Sequence, residues 1–320
     1  MKDWLAVLDQ KKSQYRRLRS GVKEKNIDDW LKIELTYTSN AIEGNTLSRQ
    51  ETALVVEKGL TVEGKTLKEH QEAINHAEAW ELVKRMAKTI KKITVNDILG
   101  IHQQILNKID DQNAGRFRSG SVRIAGSTVV LPNALKVPDL VDELVKWLNS
   151  AIGNPGTIAA KVHYRLVSIH PFVDGNGRTA RLLMNLILLQ AGYPPAIIMK
   201  EERLKYLNSL EKAQLGGSSN DYFNLIYTAI DRTFDLYSEA VGKRTKSSPG
   251  KVLKIGELSK LTGESVATVR FWTKSGLLPL AGHTPGGYQL YPFQAVDRIK
   301  LIRKLQAEKR LTIAELKRQF

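Results

Sequence analysis

The sequence predicts a mainly α-helical chain that ends in a smaller domain of a different kind, and three observations support this. Apolar residues recur every three or four positions over 28–42 and over 158–169, which is the period of a helix with one buried face. Residues 241–251 contain Gly, Pro and Ser after an apolar start and are typical of a linker. At 320 residues, the chain is long enough for the two domains that this linker would separate.

The helix expected at 28–43 carries two polar residues away from its apolar face. Asp28 is expected to cap its start, and Gly44 stands where a helix C-cap belongs. Ser39 and Glu43 are four positions apart and therefore share one face. The apolar face is formed by Leu31, Leu35, the methyl group of Thr38 and Ile42.

A polar segment at 170–181 lies between two predicted helices. It reads His-Pro-Phe-Val-Asp-Gly-Asn-Gly-Arg-Thr-Ala-Arg and follows the amphipathic helix at 158–169. Residues 180–189 are apolar on almost all sides, which indicates a helix buried in the core. The expected arrangement is therefore a helix, a glycine-containing loop and a buried helix.

This arrangement is suited to binding phosphate groups. Unpaired backbone N–H groups and the helix dipole attract anions to a helix N-terminus. Gly175 and Gly177 allow the backbone to approach phosphate oxygens closely and to adopt positive φ. Arg178 and Arg181 would lie on one face of the first turn, where they oppose the helix dipole unless an anion binds between them.

Two further residues of the segment offer chemistry. Asp174 has the hard oxygen that Mg²⁺ requires beside phosphates. His170 can accept a proton near neutral pH. The alternative is an ordinary glycine-rich loop with a histidine whose hydrogen bonds are satisfied, which leaves the separate chemical role of each position unexplained.

The segment resembles the signature of the Fic family (filamentation induced by cyclic AMP), His-x-Phe-x-Asp/Glu-Gly-Asn-Gly-Arg-x-x-Arg, and matches it at every fixed position. The resemblance implies a helical Fic fold and a transferase that moves AMP from ATP onto a Ser, Thr or Tyr hydroxyl of a protein. It implies that His170 deprotonates this hydroxyl and that Asp174 holds Mg²⁺. The glycine at 177 favours AMP transfer, since the phosphotransferase branch of the family usually has lysine there. The implied phosphate ligands are Gly175, Asn176 and Gly177 around the α- and β-phosphates, Arg178 at the β-phosphate and Arg181 at the γ-phosphate.

Residues 39–44, Ser-Asn-Ala-Ile-Glu-Gly, resemble the inhibitory motif Ser/Thr-x-x-x-Glu-Gly/Asn of Fic proteins that carry their brake at the N-terminus. In those proteins the glutamate pairs with the second arginine of the signature, here Arg181, and occupies the γ-phosphate position. The resemblance therefore implies inhibition by Ser39 and Glu43. In some members the same glutamate positions a water that removes AMP from the modified target, and the sequence does not choose between the two directions.

Two further stretches have weaker patterns. Residues 117–132 alternate and are rich in β-branched side chains, which predicts a short β-hairpin, or flap. By resemblance this edge, with Val122 and Ile124, docks the target peptide by strand pairing. Residues 205–214 resemble the adenine-pocket segment of the family and contain Tyr206 and Gln214. An aromatic residue at helical spacing is more often part of the core, so that alternative stays open.

The C-terminal domain expected at 252–320 begins with two short helices. The first ends at Gly263, and Ser265 is expected to cap the second. Two short helices joined by a tight glycine turn form a helix-turn-helix, and residues 286–291 would add a turn and a strand long enough for a wing. The first helix is marked by Ile255, Leu258 and Leu261, and the second by Val266, Val269 and Trp272.

This domain resembles the winged DNA-binding domain of the mercury-resistance-regulator (MerR) family. It departs from the family pattern at Phe271-Trp272, which replaces a tyrosine pair, and at Gln289, where arginine is usual. Residues 243–320 carry 10 Lys and 6 Arg against 5 acidic residues, a charge typical of phosphate contacts. The alternative is a winged helix that binds only protein. The resemblance implies DNA contacts by Arg270, Lys274 and His283.

Composition excludes several classes of protein. The chain has no cysteine, so disulfides, thiolate metal sites and cysteine nucleophiles are excluded, as suits a reducing cytosol. The first residues do not lead into an apolar segment, and no apolar stretch is long enough to cross a bilayer, so neither a signal peptide nor a membrane partner is expected. Four histidines lack cysteine partners and HExxH spacing and are interpreted as structural or surface residues. They are His70, His76, His102 and His163.

The predicted function is that of a cytoplasmic, self-inhibited, Mg²⁺-dependent protein adenylyltransferase joined to a DNA-binding domain. Its organisation would be an N-terminal helical region at 1–95, a Fic core at 96–240, a linker at 241–251 and the winged domain at 252–320. If the winged domain acts as a dimer, the Fic part would supply the interface of a homodimer. Two alternatives stay open: a nucleotide-sensing transcriptional regulator with little transferase activity, and an enzyme that mainly removes AMP from its target.

Overall fold

The computed structural model describes residues 4–19, 25–89, 91–246, 252–284, 287–292, 295–309 and 312–317. The chain forms two compact units, Met1–Ala240 and Val241–Phe320. The larger unit is built from helices, and the smaller one holds short helices and a three-stranded sheet. The prediction of a mainly α fold is confirmed.

The larger unit contains ten α-helices among its described residues, two 3₁₀ turns and one long irregular segment at 107–133. The α-helices are α1 (Trp4–Arg19), α2 (Lys25–Ile42), α3 (Arg49–Lys58), α4 (Leu67–Thr89), α5 (Val95–Leu106), α6 (Val137–Ser150), α7 (Pro155–Ile169), α8 (Asn176–Gln190), α9 (Arg203–Gln214) and α10 (Asn220–Lys246). The 3₁₀ turns are Ala134–Lys136 and Lys200–Glu202.

Helix α8 lies at the centre of this unit and packs against α7, α4, α5 and α2. Every residue from Arg178 to Leu188 is buried, in agreement with the all-round apolar pattern of the sequence. Each fully buried Leu, Ile or Met contributes about 1.5–3 kcal/mol to folding. This burial fixes the N-terminal turn of α8 in the protein interior.

Helix α2 contains the predicted inhibitory residues and differs from the prediction in two respects. It begins at Lys25 rather than after Asp28, so Asp28 lies in its first turn, where a carboxylate interacts favourably with the helix dipole. It is also buried on most sides: between Leu31 and Ile42, only Lys32 and Tyr37 are partly exposed. The helix is therefore part of the core and not an amphipathic surface helix.

The predicted β-hairpin at 117–132 is not formed as a pair of strands. The segment has extended arms on either side of a turn at Ala125–Gly126, but the arms are not paired in a ladder. The guanidinium of Arg118 lies between them and donates to Gly120 O and Pro132 O, at 2.9 and 2.6 Å. A side chain therefore joins the arms where strand pairing was expected.

The smaller unit has the predicted helix-turn-helix and wing. Its elements are β1 (Val252–Lys254), α11 (Ile255–Thr262), α12 (Val266–Lys274), β2 (Gly282–His283), β3 (Gln289–Pro292), α13 (Ala295–Lys309) and α14 (Ile313–Lys317). The sheet is antiparallel with strand order β1-β3-β2. Gly263 ends α11 with φ 73°, and the Ser265 side chain accepts from Thr268 N at the start of α12.

Residues 241–246 of the predicted linker at 241–251 belong to helix α10 in the structure. Helix α10 continues to Lys246, because Val, Lys and Arg after Ala240 are compatible with a helix. Residues 247–251 lie outside the described residues, as do Pro285 and Gly286 of the predicted wing turn. In the described part of the chain, none of the helices is both long and apolar enough to cross a membrane.

Candidate active site

The loop between α7 and α8 is shaped by the side chain of Asn176. Its amide donates to Phe172 O and its oxygen accepts from Phe172 N, both at 2.9 Å. Phe172 is fully buried and stacks on His102, with ring centroids 3.6 Å apart and an interplanar angle of 5°. The Asn176 side chain therefore closes the loop, while the backbone N–H of Asn176 belongs to the first turn of α8.

His170 occupies the end of α7 in a left-handed conformation, with φ 51°. Its Nδ1 lies 3.4 Å from Val167 O, a carbonyl that can only accept, so this contact places the proton on Nδ1 and leaves Nε2 unprotonated. Burial lowers the pKa of His170 from its ordinary value. The imidazole is therefore neutral at pH 7 and able to accept a proton at Nε2.

Arg118 positions His170 and was not identified from the sequence. The residue is buried, and its Nε donates to His170 O at 2.8 Å, while Arg118 N donates to Pro171 O at 2.9 Å. These bonds tie the segment 117–132 to the loop that carries the histidine. In the sequence, Arg118 is one arginine within an alternating stretch, and that pattern does not show which carbonyls its side chain contacts.

Asp174 presents an exposed carboxylate beside the start of α8. Gly175 N donates to its Oδ1 at 2.6 Å, and Arg178 Nη2 lies 3.3 Å from the same oxygen. Partial burial raises the pKa of Asp174, but Arg178 and the N–H of Gly175 outweigh it, so the pKa is lowered overall. Asp174 is thus ionised at neutral pH.

The carboxylate of Asp174 fits the way proteins hold Mg²⁺ beside nucleotides. Within the described residues, no group of three or more His, Asp or Glu side chains is arranged to hold a metal ion. One carboxylate is sufficient where substrate phosphates and water supply the other oxygen ligands. An ion held in this way would depend on the bound nucleotide.

Arg178 is buried between two carboxylates. Its Nη1 lies 3.2 Å from Glu72 Oε1 on α4, and its Nη2 faces Asp174. Glu72 Oε2 also accepts from Asn45 Nδ2 at 2.9 Å, so one carboxylate joins the first turn of α8 to the segment that follows α2. The sequence analysis did not identify Glu72, because its position in α4 carries no motif.

Arg181 is held by both predicted inhibitory residues. Its Nη2 donates to Glu43 Oε1 at 2.7 Å and to Ser39 O at 2.9 Å. Its Nε donates to Ser39 Oγ at 2.9 Å. Burial lowers the pKa of Arg181, but Glu43 more than compensates, so the pKa is raised and the guanidinium stays charged.

The carboxylate of Glu43 lies directly over the N-terminus of α8. A Cβ atom at Gly177 would stand 2.3 Å from Glu43 Oε1 and 3.0 Å from Arg181 Nη1. The space in front of Gly177 is thus occupied by an acidic group at the place where backbone N–H groups and two arginines favour an anion. Gly175 caps the helix with φ 75°, as the sequence predicted, but the same prediction is wrong for Gly177, which lies within α8 and does not have positive φ.

Two buried histidines lie behind the arginines. His76 Nδ1 is 3.2 Å from Thr36 Oγ1, and His163 bonds to the hydroxyls of Tyr206 and Tyr222 at 2.9 and 2.8 Å. Burial and the nearby Arg181 lower the pKa of each to about 3. Both are neutral, so they add no positive charge to the site.

The structure does not bring the two residues proposed for the adenine pocket into an open site. Tyr206 is only 1% exposed, and its hydroxyl is bonded to His163 in the core. Gln214 is half-buried and donates to Ser168 Oγ at 3.1 Å. In the segment 117–132, Val122 and Ile124 are half-buried on one side, as alternation predicts.

In the smaller unit, the three residues proposed for DNA contact are exposed. Arg270 and Lys274 share one face of α12, and His283 lies in β2. Their exposure leaves them available to contact a ligand.

Comparison with known proteins gives two family matches. Residues 92–188 match the Fic/DOC family, and residues 253–320 match the MerR HTH family regulatory proteins. The first match contains the loop at 170–175 and both arginines of α8, and α2 lies outside it.

Curated relatives include Protein adenylyltransferase Fic of Aedes aegypti, 39% identical over 223 residues, and that of Drosophila persimilis, 36% identical over 237 residues. These alignments cover 68% and 73% of this chain, and 44% and 45% of the relatives. The chain therefore spans less than half the length of these curated relatives.

Solved structures give a fuller overlap. Fic-1 of C. elegans has a TM-score of 0.66 and 32% identity, over 76% of this chain and 73% of its own. A Fic domain containing signaling protein of Bacteroides thetaiotaomicron has a TM-score of 0.67 and 30% identity, over 76% of this chain and all of its own.

Proposed function

This chain belongs to the Fic/DOC family, and we propose that it is a self-inhibited protein adenylyltransferase. It would transfer AMP from ATP to a Ser, Thr or Tyr hydroxyl of a target protein. The observation that supports this best is the contact of Glu43 with Arg181, 2.7 Å, over the N-terminus of α8. The names of the curated relatives support the same reaction.

The transfer step follows from the placement of His170. Nε2 would take the proton of the target hydroxyl, and the hydroxyl oxygen would form a bond to the α-phosphorus of ATP. The bond from that phosphorus to the oxygen bridging the β-phosphate would break, and pyrophosphate would leave. The neutral state of His170 at pH 7 supports its role as the base.

The remaining residues of the loop would bind the phosphates. The backbone N–H groups of Asn176 and Gly177 at the start of α8 would donate to phosphate oxygens. That of Gly175, which donates to Asp174 Oδ1 in this structure, would join them once it leaves that carboxylate. Arg178 and Arg181 would neutralise the β- and γ-phosphates. Asp174 would hold Mg²⁺, which would offset charge on the departing pyrophosphate.

Inhibition would follow because Glu43 and the γ-phosphate need the same place beside Arg181. A carboxylate bonded to a buried arginine excludes a second anion from the same donors. ATP would then bind with its α-phosphate out of line with the target hydroxyl. Displacement of Glu43 would restore the productive position.

The test is incorporation of label from ATP labelled at the α-phosphate into proteins of a lysate. Glu43→Gly should label a protein band that the wild type labels weakly, and Glu43→Gly with His170→Ala should label none. Glu63→Gly is a matched control, because Glu63 is also an exposed glutamate in a turn after a helix. Equal labelling by all variants would contradict the proposal. Release of AMP from the labelled band by the wild type would show that removal is its main direction.

We further propose that the smaller unit binds DNA through Arg270, Lys274 and His283. The exposure of these residues and the excess of basic residues over 243–320 support this proposal. The tether would place the transferase on chromosomal DNA or let it regulate its own promoter, with a homodimer formed through the larger unit. Titration of the full chain against genomic fragments at several salt concentrations should show affinity that falls with salt. Absent or salt-independent binding would contradict DNA binding.

One outcome would favour a nucleotide-sensing regulator instead. ATP would then change the affinity of the full chain for DNA, while the Glu43→Gly variant would label no lysate protein.

A further inference from the structure

Helix α12 exposes an aromatic ring that the fold of its unit does not use. Phe271 is 54% exposed, whereas its neighbour Trp272 is 2% exposed and lies in the core of the unit. Among the described residues, Phe271 makes no ring contact. Helix α12 is attached to the core by the buried Val269 and Trp272 and by the bond of Thr273 Oγ1 to the Tyr291 hydroxyl at 3.0 Å.

The exposed face of α12 combines apolar and cationic groups. Ala267 and Phe271 are four positions apart, as are Arg270 and Lys274, so each pair forms a row along the helix. The helix contains no acidic residue. A surface of this kind is poorly suited to a basic or neutral partner, and its positive charge favours a polyanion.

The edges of DNA bases offer one apolar group, the 5-methyl of thymine in the major groove. Arginine commonly bonds to O6 and N7 of guanine in the same groove, and Ala and Phe side chains contact the thymine methyl. Arg270 and Phe271 follow Ala267 by three and four positions and are both exposed, so they lie on one face of α12 and the two contacts would fall on neighbouring base pairs.

We propose that Phe271, together with Ala267, recognises thymine methyl groups next to a guanine bound by Arg270. This inference rests on the proposed binding of DNA by the smaller unit. It assigns a sequence preference to α12 beyond the phosphate contacts of Lys274 and His283. Phenylalanine has no hydroxyl and cannot donate to a phosphate, so its ring acts here through its apolar surface alone.

The experiment uses the full chain and a duplex enriched by it from a random-sequence DNA pool. Each thymine of that duplex is replaced in turn by deoxyuridine, which removes the methyl group and leaves every hydrogen bond in place. At one thymine or two neighbouring ones, the substitution should weaken wild-type binding about fourfold, the value of one buried methyl group. The same substitution should leave the affinity of Phe271→Ala unchanged.

Two variants separate recognition from a general loss of structure. Leu261→Ala also removes an exposed apolar side chain of this unit, from α11, and should show the wild-type deoxyuridine penalty. Phe271→Leu keeps an apolar group and should keep part of that penalty.

The proposal is overturned if no thymine shows the penalty, or if Phe271→Ala shows it in full. It is also overturned if Phe271→Ala dissociates a dimer and leaves the thymine dependence intact, since the ring would then be a protein contact. Failure of all duplexes to bind would instead refute the proposed DNA binding itself.

Discussion

At the scale of single residues, the site depends on which acceptors the guanidinium N–H groups of Arg181 reach. Two of its nitrogens are bonded to Ser39 and Glu43, and its Nη1 has no hydrogen-bond partner in the described structure. A buried guanidinium N–H without an acceptor can donate to one further anion. The proposed competition between Glu43 and a phosphate would therefore be decided by a few hydrogen bonds.

The first prediction concerns the hydroxyl of Ser39. Ser39→Ala removes one bond to a charged donor but keeps Ser39 O and Glu43 on Arg181, so inhibition should be relieved only in part. Loss of one such bond, worth about 1.5 kcal/mol, should raise the rate of AMP transfer about tenfold at low ATP. Initial rates with labelled ATP measure this, with Ser150→Ala as control because, within the described residues, its hydroxyl bonds only to backbone carbonyls of α6. A rate equal to that of the wild type or of Glu43→Gly would contradict the prediction.

The second prediction concerns the pH dependence set by His170. Burial lowers its pKa below the ordinary value of 6.5, and loss of Glu43 removes one of the charges that raise it. Since the neutral form accepts the proton, kcat/KM of Glu43→Gly should be constant above pH 7 and should fall only at pH values below 6.5. A profile of kcat/KM against pH with its midpoint above 7 would show that another group limits the reaction.

The sequence was sufficient to locate the residues of the loop at 170–181, because their roles follow from type and spacing. It did not reveal Glu72 or Arg118, whose partners lie far away in the chain. It also could not show that the Asn176 side chain closes the loop, since that depends on the positions of Phe172 N and O.

At the scale of elements, helix α2, which carries the proposed inhibitory residues, is part of the core. Its residues from Leu31 to Ile42 are largely buried, while Glu43 at its end is 37% exposed in its side chain. Arg203 Nε also donates to Ile42 O at 2.6 Å and fixes the last turn. Release of inhibition is therefore expected to move the Glu43 end and not the whole helix.

The third prediction tests the link between α4, α8 and the end of α2. Glu72→Ala leaves Arg178 buried with one remaining carboxylate neighbour and removes one of the two acceptors of Asn45 Nδ2, the other being Glu69 O. Loss of a partner from a buried ion pair should lower the free energy of unfolding by about 3 kcal/mol.

Urea unfolding followed by circular dichroism measures this loss. Glu78→Ala, on the same helix but exposed and bonded only to Gln104, should lower the unfolding free energy far less. Similar losses in the two variants would mean that Glu72 does not act through Arg178.

The spacing of apolar residues correctly predicted helices α7, α8, α11 and α12, because each of them is buried on its apolar face or on all faces. Alternation at 117–132 failed as a predictor of strand pairing, because Arg118 occupies the space between the arms. The start of α2 was also misplaced, since Asp28 is compatible with both a cap and a first turn.

At the scale of the whole molecule, stability is linked to pH through histidines in the larger unit. Burial lowers the pKa of His76 and His163 to about 3 and that of His102 to about 4, against an ordinary value of 6.5. The unfolded chain therefore binds protons below pH 6.5 that the folded chain does not. Each histidine then favours unfolding tenfold per pH unit, until its folded pKa is reached.

The fourth prediction is a steep loss of stability in acid. The melting temperature should be nearly constant from pH 8 to 7 and should fall sharply between pH 6 and 4, as measured by thermal denaturation. His163→Gln should be less stable at pH 7 but should lose stability less steeply with acid, because one of the titrating groups is gone. An unchanged slope in that variant would contradict the assignment.

The division into two units followed from composition, since basic residues and a Gly-Pro-Ser stretch mark the change. The continuation of α10 to Lys246 was not predicted, because the residues at its end neither strongly favour nor strongly disfavour a helix.

The closeness of Gly177 to the Glu43 carboxylate has an evolutionary consequence. A methyl group at position 177 would overlap the acid in its present rotamer. The two sites, distant along the polypeptide, should therefore mutate in concert across homologues. A lineage that acquires a bulkier residue at 177 is expected to have an acid at 43 that is lost, shortened or turned away from Arg181.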